Sequence, residues 1–342
     1  MNLFLRKIKD EKLNKDYNLY QSDEVFEPAR RLINEIFNRM EDKDGNFVED
    51  FQSTGFWARL FELFIFEFIN ENKFICISKY NRPDFYVIKD KVELFIEAST
   101  TNMTENDEIY TTQNILNALK NRDKNFEINI LKQYTIKIGS VLFSKLNKKY
   151  WELEWVKGKP IFIAISAKHH SLSDFLPDYL IFEYLYGINI QSEIINDKLS
   201  STINKIFQHT LGNKCISSAF FQQPLSENIS GVIFVNSCDF HKFNRIGYEK
   251  GYSSKDILMT RVGNAYDNTP FSKAKKFIYD VNFNSLRETW AEGIRIFHNP
   301  NALYPVSSDI FKNIAQTFVD KNGRIEEIMP CFYPFNSKTF YI

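Results

Sequence analysis

The chain has 342 residues, enough for about two domains or one enlarged one, and 44% of them are hydrophobic. Its 43 Lys and Arg balance 43 Asp and Glu, which excludes an indiscriminate electrostatic coat for nucleic acid, and the apolar content excludes an acidic disordered chain. The four cysteines are scattered, with no C-x-x-C pair, so neither a disulfide framework nor a zinc ribbon is expected. The most apolar stretch, 60–69, carries Glu62 and Glu67 and falls short of the ~20 residues a membrane span needs. The first ten residues are too charged for a signal peptide, so the expected setting is soluble and cytoplasmic, with no membrane partner.

From Asp23, apolar residues recur at helical spacing through Met40, and a polar stretch at 41–50 reads as a loop. Residues 56–70 predict a second helix, apolar on most sides and therefore buried on more than one face. Three short strands follow at 74–78, 84–88 and 92–99, the last two joined by a turn at Lys89-Asp90-Lys91. Helices are expected at 108–119 and 139–150, flanking a strand at 134–138. The apolar run 161–166 suits a strand covered on both faces. Further helices are expected at 172–186 and 192–208, and strands at 231–236, 277–281 and 293–298. The order indicates an α/β or α+β protein.

Charge by segment is more informative than the total. Residues 1–119 carry a balance of −7, residues 120–159 a balance of +6, and the remainder +1. The acidic segment contains Pro83-Asp84 at the opening of one predicted strand and Glu97 in the middle of the next. Side chains alternate along a strand, so Glu97 and Ser99 share a face. If the two strands form a hairpin, Asp84 falls close to both. Glu97 interrupts Leu94-Phe95-Ile96 and Ala98, and Glu62 lies between Phe61 and Leu63, where an unpartnered carboxylate is costly. Asp84 and Glu97, with the Ala98 carbonyl and Glu62, form an oxygen-only set suited to a hard cation such as Mg²⁺ or Mn²⁺.

Helix, hairpin with P-D and an acidic strand residue, helix and strand resemble the core of the PD-(D/E)xK nuclease superfamily over roughly 54–166. Several segments resemble one uncharacterised bacterial subgroup: Phe56-Trp-Ala-Arg-Leu-Phe-Glu-Leu63, Pro83-Asp-Phe85, Ile96-Glu-Ala-Ser-Thr-Thr-Asn102, Ile138-Gly-Ser-Val-Leu-Phe-Ser-Lys-Leu146 with Tyr150-Trp151, Gly158-Lys-Pro160 and His298-Asn-Pro-Asn-Ala302. The resemblance implies a restriction-endonuclease-like α/β core at 54–170, after an N-terminal helical region at 1–53 and before a mixed α/β extension at 171–342. It implies a Mg²⁺-dependent nuclease acting on DNA, in phage defence or DNA processing, as a homo-oligomer or a subunit of a defence complex.

The chain departs from the family at Ser99, where the lysine would stand. Lys145, on the following helix, is the best replacement and Lys137 a weaker one. Otherwise Ser99 only orients water while the metal supplies acidity, or the fold serves as an inactive module binding nucleic acid or a partner protein. The basic stretch 120–159 is expected to follow a phosphate backbone. Other signals carry less: Cys238-x-x-His241 lacks a second ligand pair, His169-His170 reads as surface histidines, and Gly247-x-x-x-Gly251 lacks a phosphate loop's context.

Overall fold

A computed structural model describes residues 2–42, 45–102, 112–170, 172–195, 198–269, 272–284, 287–320 and 322–342. The first helix, α1 (Lys15–Ser22), starts at Asn14, whose side-chain oxygen accepts from the Asp16 and Tyr17 amides. The apolar stripe that follows folds as α2 (Glu27–Arg39) and buries Ala29, Leu32, Ile33, Ile36 and Phe37. The loop expected at 41–50 instead contains the start of α3 (Phe47–Gln52), which buries Phe47, Val48 and Phe51. Six residues are too few for a helical period to show in sequence. Helix α4 (Phe56–Glu71) is buried on most sides, as its composition predicts.

Strands β1 (Ile75–Ile77), β2 (Phe85–Lys89) and β3 (Val92–Asn102) make an antiparallel meander. Asp90 and Lys91 both take positive φ, 50° and 66°, giving the two-residue turn whose twist matches a hairpin. Helix α5 (Thr112–Asn121) covers part of the helix expected at 108–119; residues 108–111 lie outside the described ones. The strand expected at 134–138 is not formed, because those residues lie inside α6 (Lys124–Leu146), which Asp123 caps. Local β-branched alternation suggested a strand, whereas burial recurs every fourth residue at Ile130, Tyr134, Ile138 and Leu142.

Strand β4 (Ile161–Lys168) is buried almost throughout and runs parallel to β3. Past Pro177, the helix expected at 172–186 is reduced to α7 (Tyr179–Tyr186), preceded by a 3-10 turn at Ser173–Phe175. The helix expected at 192–208 is a hairpin instead, β5 (Ile188–Ile195) with β6 (Lys198–Lys205). This segment is rich in Ile, Ser and Thr, which a strand accommodates better than a helix does. A second hairpin follows, β7 (Gln208–Leu211) with β8 (Lys214–Ser217). The rest comprises β9 (Gly231–Val235), α8 (Phe240–Glu249), β10 (Met259–Ala265), β11 (Lys275–Asp280), β12 (Ile294–His298), β13 (Ala315–Val319), β14 (Ile325–Ile328) and β15 (Pro334–Tyr341).

The architecture is mixed α/β around one eight-stranded mixed sheet, ordered β1-β2-β3-β4-β9-β12-β13-β14. Four of these strands come from 54–170 and four from 171–342, so the C-terminal half extends the central sheet. It also adds a three-stranded sheet, β11-β10-β15. That sheet is tied to α8 by a buried ionic cluster. Arg245 donates to both Glu288 oxygens at 2.6 and 2.8 Å, and Arg261 reaches Glu288 at 3.2 Å and Glu292 at 2.7 Å. Burial alone would raise the Glu288 carboxyl, but Arg245 and Arg261 hold it at about 2. Helix α4 packs with Leu94 and Ile96 on one face of the central sheet, and α6 packs with Phe95 on the other. Among the described residues no helix is long and apolar enough to cross a membrane.

Candidate functional site

The site lies where β2 parts from β3. The register ends at Phe85↔Ile96, so Asp84 stands at the split, opposite Glu97. A slip of one residue would turn Glu97 to the opposite face of the sheet. Asp84 Oδ2 accepts the Ala98 amide at 2.7 Å, which fixes the carboxylate against β3. Burial, then the Glu97 and Glu62 charges, push the Asp84 carboxyl up to about 8, against the Ala98 amide and Lys145, which lower it.

Glu97 is 4% exposed and faces α6. Its Oε1 accepts from Lys145 Nζ at 2.6 Å and from Tyr150 Oη at 2.7 Å. After α6 ends at Leu146, Lys149 takes φ 51° and starts the 3-10 turn Tyr150–Glu152, which turns Tyr150 toward Glu97. Burial and then Glu97 raise the Tyr150 hydroxyl well above its usual range, so it stays a donor at neutral pH.

Glu62 approaches from α4, on the other face of the sheet. Arg59, one turn earlier, donates to its two oxygens at 3.1 and 2.9 Å and to Asp50 Oδ2 at 2.6 Å. Burial raises the Glu62 carboxyl against the pull of Arg59, with Glu97 adding to the rise. Four carboxyls, Asp84, Glu97, Glu62 and Asp50, thus meet two cations, Lys145 and Arg59, and Asp84 is the one driven towards its protonated form.

Among the described residues no group of three or more His, Cys, Asp or Glu side chains is disposed to hold a metal ion. Glu62, expected to join this oxygen-only set through a second metal or its water shell, has Arg59 on both its oxygens. What remains is Asp84, Glu97 and the Ala98 carbonyl. This set suits Mg²⁺ or Mn²⁺, since Mg²⁺ is commonly held by one or two carboxylates and keeps several waters. The raised Asp84 carboxyl is consistent with such a fit, because a cation would relieve the repulsion that keeps it protonated.

Ser99 pairs with Ile165 of β4 and is partly exposed, two residues beyond Glu97 on the same face. Lys137 lies two turns before Lys145, and its Nζ donates to the Asn102 carbonyl at 3.4 Å, at the end of β3 and away from Glu97. Within the basic stretch Lys132, Lys148, Lys149 and Lys157 are exposed. The rim carries a half-exposed aromatic pair, Tyr80 stacked on Trp155 with centroids 4.8 Å apart, beside exposed Lys79 and Arg82.

A cleft of about 530 Å³ opens on the α4 side, with Glu62 and Asp84 in its wall. Sequence reasoning passed over Arg59, Asp50 and Tyr150. The three-residue spacing of Arg59 and Glu62 on a helix was a readable signal. Tyr150 stood in a segment that resembles the family subgroup, but its residue type alone gave it no role.

The lesser motifs prove to be packing devices. Cys238 is buried, and His241 Nδ1 lies 2.8 Å from Tyr341 Oη. His169, expected at the surface, is 3% exposed with Nδ1 2.8 Å from Thr101 Oγ1. A Cβ at Gly247 would sit 2.4 Å from the Pro28 carbonyl, so this glycine lets α8 close on α2. In 298–302, Asn299 donates to the Ser226 and Ile229 carbonyls and Asn301 to the Phe221 carbonyl, tying down the loop before β9. Comparison with family models, curated proteins and solved structures returns no match for this chain.

Proposed function

We propose that the protein is a Mg²⁺-dependent nuclease that hydrolyses phosphodiester bonds, with DNA as substrate. In this reading α4, the β2–β3 hairpin, α6 and β4 form a restriction-endonuclease-like core. The observation that carries it is the Lys145–Glu97 contact at 2.6 Å. The cation that the family pattern would place at Ser99 reaches the acidic strand residue from α6 instead.

Asp84, Glu97 and the Ala98 carbonyl would hold Mg²⁺, which when bound polarises a phosphate oxygen and acidifies a water. Lys145 would balance charge developing on the phosphate and orient the attacking water. Tyr150 keeps Glu97 in place by donating to Oε1. Ser99, on the same face as Glu97 and partly exposed, would hydrogen-bond that water. Arg59 fixes Glu62, whose role becomes electrostatic. The exposed lysines on and after α6, with the Tyr80–Trp155 rim, would hold the backbone and bases of the strand.

Cleavage of DNA, offered as single strands and as supercoiled plasmid, tests this reading. Asp84→Ala, Glu97→Ala and Lys145→Ala should each abolish Mg²⁺-dependent cleavage, and full activity in Glu97→Ala would refute it. The engagement of Lys145 and Arg59 by the site's own carboxylates favours a second reading, a non-catalytic module binding nucleic acid or a partner protein. Salt-dependent DNA binding without any cleavage would select that module.

A further inference from the structure

We infer that the cleft beside Asp84 and Glu62 is a subsite for one unstacked nucleoside, which makes the substrate a single strand, an end or an extruded nucleotide and not a continuous duplex. This rests on the nuclease reading above. The cleft's volume, about 530 Å³, lies within the ~300–1,000 Å³ of ordinary small-ligand sites. It can admit one nucleoside; a double helix, whose major groove alone is about 12 Å wide, it cannot.

The acids themselves are recessed. Glu97 is 4% exposed, and Asp84 is held against the Ala98 amide at the sheet split. The phosphate of an unbroken duplex lying on the surface would not reach them. A strand whose base has left the stack would, at the cost of a few kcal/mol of unstacking that is smallest for single-stranded or mismatched positions.

The wall has the mixture such a guest needs. Buried Phe66, Phe74 and Phe85 supply apolar surface. Arg59 lies over the Phe47 ring, 5.0 Å from its centroid, and offers a guanidinium plane on which a base can stack. Asn70 and Ser78 bring polar groups to the same cleft. A phosphodiester held at Asp84 has a nucleoside on each side, and because Asp84 belongs to the cleft wall, one of the two enters the cleft.

Two measurements test the inference. In the first, dAMP and dTMP are titrated calorimetrically into the full-length protein in Ca²⁺, alongside Ser78→Trp and Asn70→Trp, which fill the cleft from different elements. Both variants should lose mononucleotide affinity at least tenfold while keeping the thermal stabilisation by Mn²⁺. Unchanged binding in both variants would overturn the subsite. In the second, wild-type protein is given one sequence as a single strand, as a duplex with a single-stranded overhang and as a closed circular duplex. Cleavage of the single strand at least a hundredfold faster than of the closed duplex is expected, and equal rates would overturn the inference. If no nucleic acid is cut yet mononucleotides bind and the Trp variants abolish that binding, the nuclease reading fails and the subsite stands.

Discussion

Replacing Asp84 by Asn in metal-free protein tests the electrostatics of the site directly. Its carboxyl ionises near 3.8 when unfolded and near 8 when folded. A group whose folded pKa is raised costs stability as it ionises. The cost is absent below about pH 4, grows as pH rises towards 8 and is complete above it. At ~1.4 kcal/mol per tenfold change, the full interval corresponds to an upper limit on the order of 6 kcal/mol. Partial exposure and sharing of the charge with Glu97 and Glu62 reduce the expected figure to about 2–4 kcal/mol.

Asn preserves shape, and its carbonyl still accepts the Ala98 amide. Urea unfolding with a chelator present should therefore give wild type and Asp84→Asn nearly equal stabilities at pH 3.5. At pH 9 the variant should be the more stable by about 2–4 kcal/mol. The difference between the two proteins cancels groups that titrate alike in both. A variant less stable than wild type at pH 9, or a difference that does not change with pH, would refute the reasoning.

Three further outcomes are expected. Lys145→Met leaves the buried Glu97 carboxylate with only the Tyr150 hydroxyl, so chemical denaturation should show a loss of about 2–4 kcal/mol, with Lys145→Arg closer to wild type. Tyr150→Phe removes one donor to a charged acceptor and should cost about 1.5–3 kcal/mol in the same assay, leaving residual nicking where Lys145→Met leaves none. Gly139→Ala should lower stability by about 1–3 kcal/mol, because its Cβ would lie 2.5 Å from Ile216 Cδ1 and 2.7 Å from the Tyr184 ring.

The hairpin and its acids were legible because their signals are local. Alternation places Glu97 opposite the face of Leu94 and Ile96, and the Lys89–Lys91 turn fixes where Asp84 falls. Lys145 could be singled out only through the family pattern, since composition treats it like its neighbouring lysines. The errors arose where the deciding contacts are distant. Residues 134–138 alternate like a strand, yet α6 is selected by its packing on β4 and α7, elements that come later in the chain. Residues 192–208 have helical spacing of isoleucines, but pairing between Ile188 and Lys205 makes them a hairpin. Tyr150 entered only through the family resemblance and without a role, because that role depends on a left-handed turn at Lys149 that only the folded chain specifies.

The interleaved origin of the central sheet has a consequence for how the protein is made. β4 is flanked by β3 on one edge and by β9 on the other, and β9 begins some sixty residues after β4 ends. Until β9 is synthesised, β4 presents an apolar parallel edge, the kind of strand that pairs with whatever meets it first. Long-range parallel pairing is slow to form, so a nascent chain halted near residue 170 would be sticky before it was active. The proposed chemistry is thereby tied to completion of the polypeptide, and the segment bearing the acids is ill suited to being excised as a portable cassette.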